Sequence, residues 1–187
     1  MKPAPPTACQ IRVWDPAVRL AHWALVLSIA ISWISTQGWG LSWDLHEPAG
    51  YVAAGVVGLR LLWGWLGSAH ARFGDFVRGP GAVWSYTRDV LKGREPHYIG
   101  HNPLGGWMVL ALLTMVSATA GTGWLLTTDR FWGSETMAEV HHFLAWSLLG
   151  LIALHVGGVL FTSRRQRENL VAAMVTGHKV RKSRQSD

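Results

Sequence analysis

Only one cysteine, Cys9, occurs among the 187 residues. No disulfide can therefore form within one chain, and the lack of any Cys-x-x-Cys-His sequence excludes covalent attachment of a c-type haem. Acidic residues are scarce too, with 11 Asp and Glu against 17 Lys and Arg. None of them falls inside a long apolar run. There is no internal repeat and no low-complexity segment. The chain begins Met-Lys with three prolines in the next four residues and shows no cleavable signal pattern, so the first apolar run is expected to insert directly. The basic excess is not a nucleic-acid signature, because no basic face alternates with stacking aromatics.

What the chain has in plenty is apolar length. Four stretches, 21–39, 49–66, 104–126 and 143–161, are each long enough, or nearly so, to span a bilayer as a helix. Four buried helices of a soluble bundle would need polar faces of the usual width, and none is seen. Of the 12 tryptophans, Trp14, Trp23, Trp39, Trp43, Trp63, Trp65, Trp107, Trp124 and Trp132 fall near span ends, where an indole suits the headgroup layer.

The basic residues set an orientation. Lys2, Arg12 and Arg19 precede the first span, and Arg72, Arg78, Arg88, Lys92 and Arg94 lie between the second and third. Arg164, Arg165, Arg167, Lys179, Arg181, Lys182 and Arg184 follow the fourth. Only Arg130 lies on the other side, and Arg60 is inside span two. The positive-inside rule places both termini and the middle loop in the cytoplasm. The expected fold is all-α: one domain over 1–187, a transmembrane four-helix bundle with both termini cytoplasmic.

The cytoplasmic loop 67–103 is expected to hold a short helix near 82–91, with turns at Arg78-Gly79-Pro80-Gly81 and Gly93-Arg94-Glu95-Pro96. Asn102 suits a helix cap and Pro103 a first turn. The periplasmic loops, 40–48 and 127–138, are short. The tail 163–177 reads as an amphipathic helix on the inner surface, with Leu170, Val171 and Met174 down and arginines up.

Histidine spacing carries the chemistry. His141 and His155 are 14 residues apart in one apolar helix. That separation returns to within ~40° of the starting direction and climbs ~21 Å, so two imidazoles face one side at two depths. His155 is deep in span four, where an ionisable group is a functional candidate by default. His142 competes with His141, but its spacing of 13 to His155 turns it away. His46 opens span two at the height of His141, and His22 opens span one at a height His155 can share. Taken alone, His22 could be an interface residue beside Trp23, and His46 a polar cap. Taken together, the pairs His46–His141 and His22–His155 fit axial ligation of two non-covalent haem b groups, between helices and at two levels.

Other polar residues are less decided. His101 could meet a haem propionate or a quinone carbonyl, or fix its loop. Arg60, 14 residues after His46, either pairs with a propionate of the cytoplasmic haem or snorkels to the headgroups; Arg19 has the same two options. His70, His97 and His178 are expected to be solvated, with no zinc-type spacing. Two histidines per iron fill both axial positions, leaving one-electron exchange as the chemistry.

Several segments then look familiar. Arg12-Val13-Trp14-Asp15-Pro16 with Arg19 and His22-Trp23 resembles the start of bacterial cytochrome b561-type proteins. So do Arg60-Leu61-Leu62-Trp63-Gly64 with Arg72-Phe73, Gly100-His101-Asn102-Pro103-Leu104-Gly105, and Arg167-Glu168-Asn169-Leu170 with Ala173-Met174 and Thr176-Gly177. The resemblance covers nearly the whole chain and extends to the b-type cytochrome subunits of nickel–iron hydrogenases. It implies a four-helix di-haem bundle that exchanges electrons with the quinone pool, with His22, His46, His141 and His155 as ligands.

The implied partners are the lipid bilayer, quinone, and a redox protein such as a small cytochrome c or an oxidoreductase subunit; a homodimer is compatible with the sequence. Three functions compete: a relay or anchor for a separate redox partner, including a hydrogenase-like complex; a stand-alone quinone oxidoreductase; and a haem-free scaffold or transporter. The short periplasmic loops lean toward a stand-alone protein or one serving a small cytochrome.

Overall fold

The computed structural model describes residues 8–68 and 71–182. Lys2, His70, Arg184 and the proline-rich start lie outside the described residues. In chain order the elements are β1 (Ala8–Arg12), α1 (Pro16–Ser35), a 3-10 turn (Trp43–Leu45), α2 (His46–Leu66) and α3 (Phe73–Phe76). Then follow α4 (Pro80–Lys92), α5 (Pro103–Leu126), α6 (Glu135–Gln166), α7 (Leu170–Thr176) and β2 (His178–Lys182).

Four helical segments are long and apolar enough to cross a membrane: Pro16–Ser35, Trp43–Leu66, Pro103–Leu126 and Glu135–Gln166. They pack in a row, α1 on α2, α2 on α5, and α5 on α6. The shared core is small: Ala53, Val57, Leu113, Val116 and Leu148, with Leu25, Ile29 and Ile152 against it. Most large apolar side chains point outward, among them Leu27, Leu59, Leu62, Phe143 and Leu154. In water that arrangement would be costly; facing lipid tails it is the expected one.

Local chemistry explains where the helices begin, and it moves two boundaries. α1 starts at Pro16 because Asp15 caps it, accepting from the Val18 N–H at 2.8 Å. It ends at Ser35, so residues 36–39, expected inside the span, instead turn through Thr36 and a left-handed Gly38. α6 starts at Glu135, capped by Ser134, and runs 32 residues, well beyond the expected 143–161. Asn102 caps α5 as its sequence implies, accepting from the Gly105 N–H at 2.7 Å. The short helix expected near 82–91 is α4, closed by a left-handed Gly93.

The expected tail helix is corrected most. α6 stops at Gln166, Arg167 takes a left-handed conformation with φ 53°, and α7 restarts under an Asn169 cap. Ala173 is buried against Val13 and Trp14. Of the residues expected to face down, Val171 remains exposed. The all-α expectation also missed a ribbon. β1 pairs antiparallel with β2, Ala8 opposite Lys182 and Arg12 opposite His178. The first and last described segments therefore lie side by side, at one end of the bundle.

The loop between α2 and α5 is seated by glycines. A Cβ on Gly106 would stand 2.7 Å from the Phe76 carbonyl oxygen, and one on Gly64 would strike the Phe73 ring. Asp15 ties this end together, since its carboxylate also accepts from Trp63 Nε1 at 3.2 Å and from the Ser68 hydroxyl. Burial opposes its ionisation. The hydrogen bonds from Ser68, Val18 and Trp63 outweigh that and hold the carboxyl below its ordinary value. A carboxyl lowered in the folded state stabilises fully above its unfolded pKa, and the benefit is lost as pH falls through the folded one. Asp15→Ala is expected to lower the unfolding temperature in detergent, the cap alone contributing about 1 kcal/mol. The gap to wild type should narrow on acidification below about pH 4. A variant as stable as wild type at neutral pH contradicts this role.

Candidate functional site

One stripe of α2 faces inward: Ala49, Ala53, Val57, Arg60 and Gly64 are its buried residues, at helical spacing. His46 opens the same helix, delivered by the 3-10 turn before it. Its Nδ1 lies 2.8 Å from the carbonyl oxygen of Ser32 on α1. A carbonyl can only accept, so Nδ1 carries the proton and Nε2 keeps the lone pair. The Ser32 hydroxyl returns the contact, donating to the His46 carbonyl at 3.3 Å.

His141 reaches the same place from α6. Its ring centre is 6.1 Å from that of His46, with the planes at 79°. Its Nδ1 lies 3.1 Å from the Thr122 hydroxyl oxygen on α5. The single Thr122 proton has carbonyl acceptors at Ala118, 3.0 Å, and Thr119, 2.9 Å. The oxygen can thus accept from Nδ1–H, and the Thr119 backbone is a second acceptor for this ring; in that tautomer Nε2 of His141 is the free nitrogen. Two imidazoles sharing one metal, each nitrogen about 2 Å from it, place their ring centres roughly 6 Å apart. His142, by contrast, is exposed, as its spacing implies.

Among the described residues no group of three or more His, Cys, Asp and Glu could hold a metal ion. Two imidazoles alone leave a metal short of ligands unless it arrives with its own equatorial set, as haem iron does.

The second pair is looser. His22 on α1 and His155 on α6 are both partly buried. His22 Nδ1 is buried without a hydrogen-bond partner among the described residues. Trp33 and Trp146, 4.8 Å apart, join the same two helices. Arg60 is 6% exposed and so does not snorkel. Its Nη2 donates to the Ala71 carbonyl at 3.1 Å, its guanidinium lies 5.4 Å from the Phe73 ring centre, and its Nη1 is buried without a partner among the described residues. That N–H group is available to an anionic ligand.

The remaining sequence candidates serve the loop end. Arg19 donates to the Met174 carbonyl at 3.3 Å and to that of Val175, closing the C-terminus of α7. His101 lies between Trp14 and Phe76, with ring centres 4.7 and 4.6 Å away. His97 is exposed, as expected, and in addition Glu168 is 3.0 Å from it and also pairs with Lys179 at 3.4 Å. The left-handed turn at Arg167 carries Glu168 there, and no local pattern announces such a turn. His178 is exposed, its Nδ1 3.0 Å from the Thr176 carbonyl. Sequence reasoning missed Ser32 and Thr122. The only available signal was a hydroxyl in an apolar helix, and most such hydroxyls bond their own backbone.

A family profile for prokaryotic cytochrome b561 matches residues 13–177. Similar curated proteins include a probable Ni/Fe-hydrogenase B-type cytochrome subunit of Azotobacter vinelandii, 27% identical over 222 aligned positions covering 95% of this chain and 91% of the relative. Another of the same description, from Rhodobacter capsulatus, is 24% identical, covering 90% of this chain and 81% of the relative. A third, from Rhizobium leguminosarum bv. viciae, is 24% identical over 94% of this chain and 91% of the relative. No solved structure matches at a significant level. The family implies haem b, the group that the free imidazole nitrogens and the unpaired Arg60 N–H are chemically suited to hold. Four apolar spans and facing histidines are thus those of a multi-pass membrane b-type cytochrome, and the chain belongs to the prokaryotic cytochrome b561 family.

Proposed function

We propose that this chain holds two haem b groups, one between His46 and His141 and one between His22 and His155. In this reading it carries electrons across the bacterial inner membrane between a redox partner and the quinone pool. The observation that carries it is the 6.1 Å ring separation of His46 and His141, with Nδ1 of each already engaged. Bound haem with two axial imidazoles would supply one-electron exchange, with no open position for O₂.

The side chains do the positioning. The Ser32 carbonyl and the Thr122 hydroxyl fix the rings of His46 and His141. Arg60 offers Nη1 to a propionate at the other level while Nη2 holds the loop at Ala71. Along α6 the 14 residues from His141 to His155 separate the two levels by ~21 Å. The basic end, with both termini, faces the cytoplasm, and the His46–His141 end faces the periplasm.

The names of the relatives favour an oxidoreductase subunit of the hydrogenase kind as partner. One observation favours a smaller partner, such as a small cytochrome c, or a stand-alone quinone oxidoreductase. The alignments run over more positions than this chain has residues, so the relatives carry segments that it lacks. The connections at the His46–His141 end are also short, 36–45 and 127–134.

Pyridine haemochrome assay of the purified protein is expected to give two b haems per chain, and reduced-minus-oxidised spectra low-spin b bands. His155→Ala should retain one haem and His142→Ala both. One haem or none in fully loaded wild type, or two in His155→Ala, rejects the pairing. Arg60→Leu is expected to lower the potential of one haem, because a nearby cation favours the reduced form. An unchanged redox titration counts against the propionate contact.

A further inference from the structure

We propose that Thr122 tunes the haem held between His46 and His141, by accepting a hydrogen bond from the side of the His141 ring that faces away from iron. The inference rests on His141 being an axial ligand.

Ser117 and Thr119, on the same helix, send their hydroxyls back to the Leu113 carbonyl at 2.8 Å and the Met115 carbonyl at 2.9 Å. Thr122 does likewise with Ala118, and in addition it meets the Nδ1 of His141. With its one proton given to backbone, its oxygen is an acceptor for Nδ1–H, beside the Thr119 backbone that also bonds this ring. The neighbouring Gly123 makes the approach close: a Cβ there would be 3.1 Å from His141 Cε1. The ring is seated against the α5 backbone, with Thr122 at its Nδ1 edge.

The consequence follows from ligand chemistry. Donating Nδ1–H makes the opposite nitrogen more basic. A more basic axial ligand favours ferric over ferrous iron, so the bond holds the potential down. His46 makes the matching bond to Ser32, whereas His22 Nδ1 has no partner among the described residues. A haem held between His46 and His141 would have both axial imidazoles hydrogen-bonded at Nδ1, so loss of the Thr122 acceptor should raise its potential.

The test is a redox titration of the purified, haem-loaded protein, followed by visible spectra, with EPR of the oxidised form. Thr122→Val keeps the shape and loses the acceptor. One of the two potentials should rise, the other should stay, and the largest g value of one low-spin signal should move. Thr122→Ser should restore wild-type values. Unchanged potentials in the Val variant, equal shifts of both haems, or a Ser variant behaving like Val overturns the inference. Should Thr122→Val fail to retain that haem, Thr122→Ala decides. Loss of the same haem in Ala but not in Ser, or a raised potential in Ala, supports the role, and a wild-type potential in Ala overturns it. His141→Ala separates the two readings. If it keeps both haems, the ligand assignment itself fails; if it loses one while Thr122→Val titrates as wild type, only the role of Thr122 fails.

Discussion

An imidazole inside a hydrocarbon layer has two ring nitrogens to satisfy and no water to do it, and this requirement organises the bundle. For His46 and His141 one nitrogen of each is satisfied by a neighbouring helix, through the Ser32 carbonyl of α1 and the Thr122 hydroxyl of α5. The second nitrogen of each keeps its lone pair. All four spanning helices therefore meet at this one place: α2 and α6 give the rings, and α1 and α5 fix them. The packing core is correspondingly small, and nearly all remaining apolar surface is turned outward to lipid.

The opposite end of the bundle is held by polar side chains and backbone. Asp15 joins the start of α1 to the end of α2, Arg19 closes α7, and Arg60 pins the loop at Ala71. Gly64 and Gly106 let Phe73 and Phe76 approach closely, and the β1–β2 ribbon binds the two ends of the chain to each other. One charged group, Arg60, has Nη2 committed to the loop, while its Nη1 is buried without a hydrogen-bond partner among the described residues.

Features with a short-range or periodic cause were legible in the sequence. The apolar runs gave the number of spans, and the cap at Asn102 and the turn beginning at Gly93 gave helix limits. The 14-residue step from His141 to His155 separated His141 from the exposed His142. Features that depend on distant residues were not. β1 and β2 are five residues each and pair across nearly the whole chain, and the alternation Cys9-Gln10-Ile11-Arg12 is too short to announce a strand. The left-handed Arg167 divides what reads as one amphipathic tail, and so brings Glu168 to His97 and Lys179. Ser32 acts through its backbone oxygen, which no residue type encodes, and Thr122 has the same spacing on α5 as hydroxyls that only bond their own helix.

Near-infrared magnetic circular dichroism of the oxidised, fully loaded protein tests the central claim most directly, because it counts low-spin ferric iron and identifies the axial ligands of each. The account predicts two irons per chain, both bis-imidazole. A single iron, a high-spin centre, or methionine or thiolate ligation at either site would contradict it.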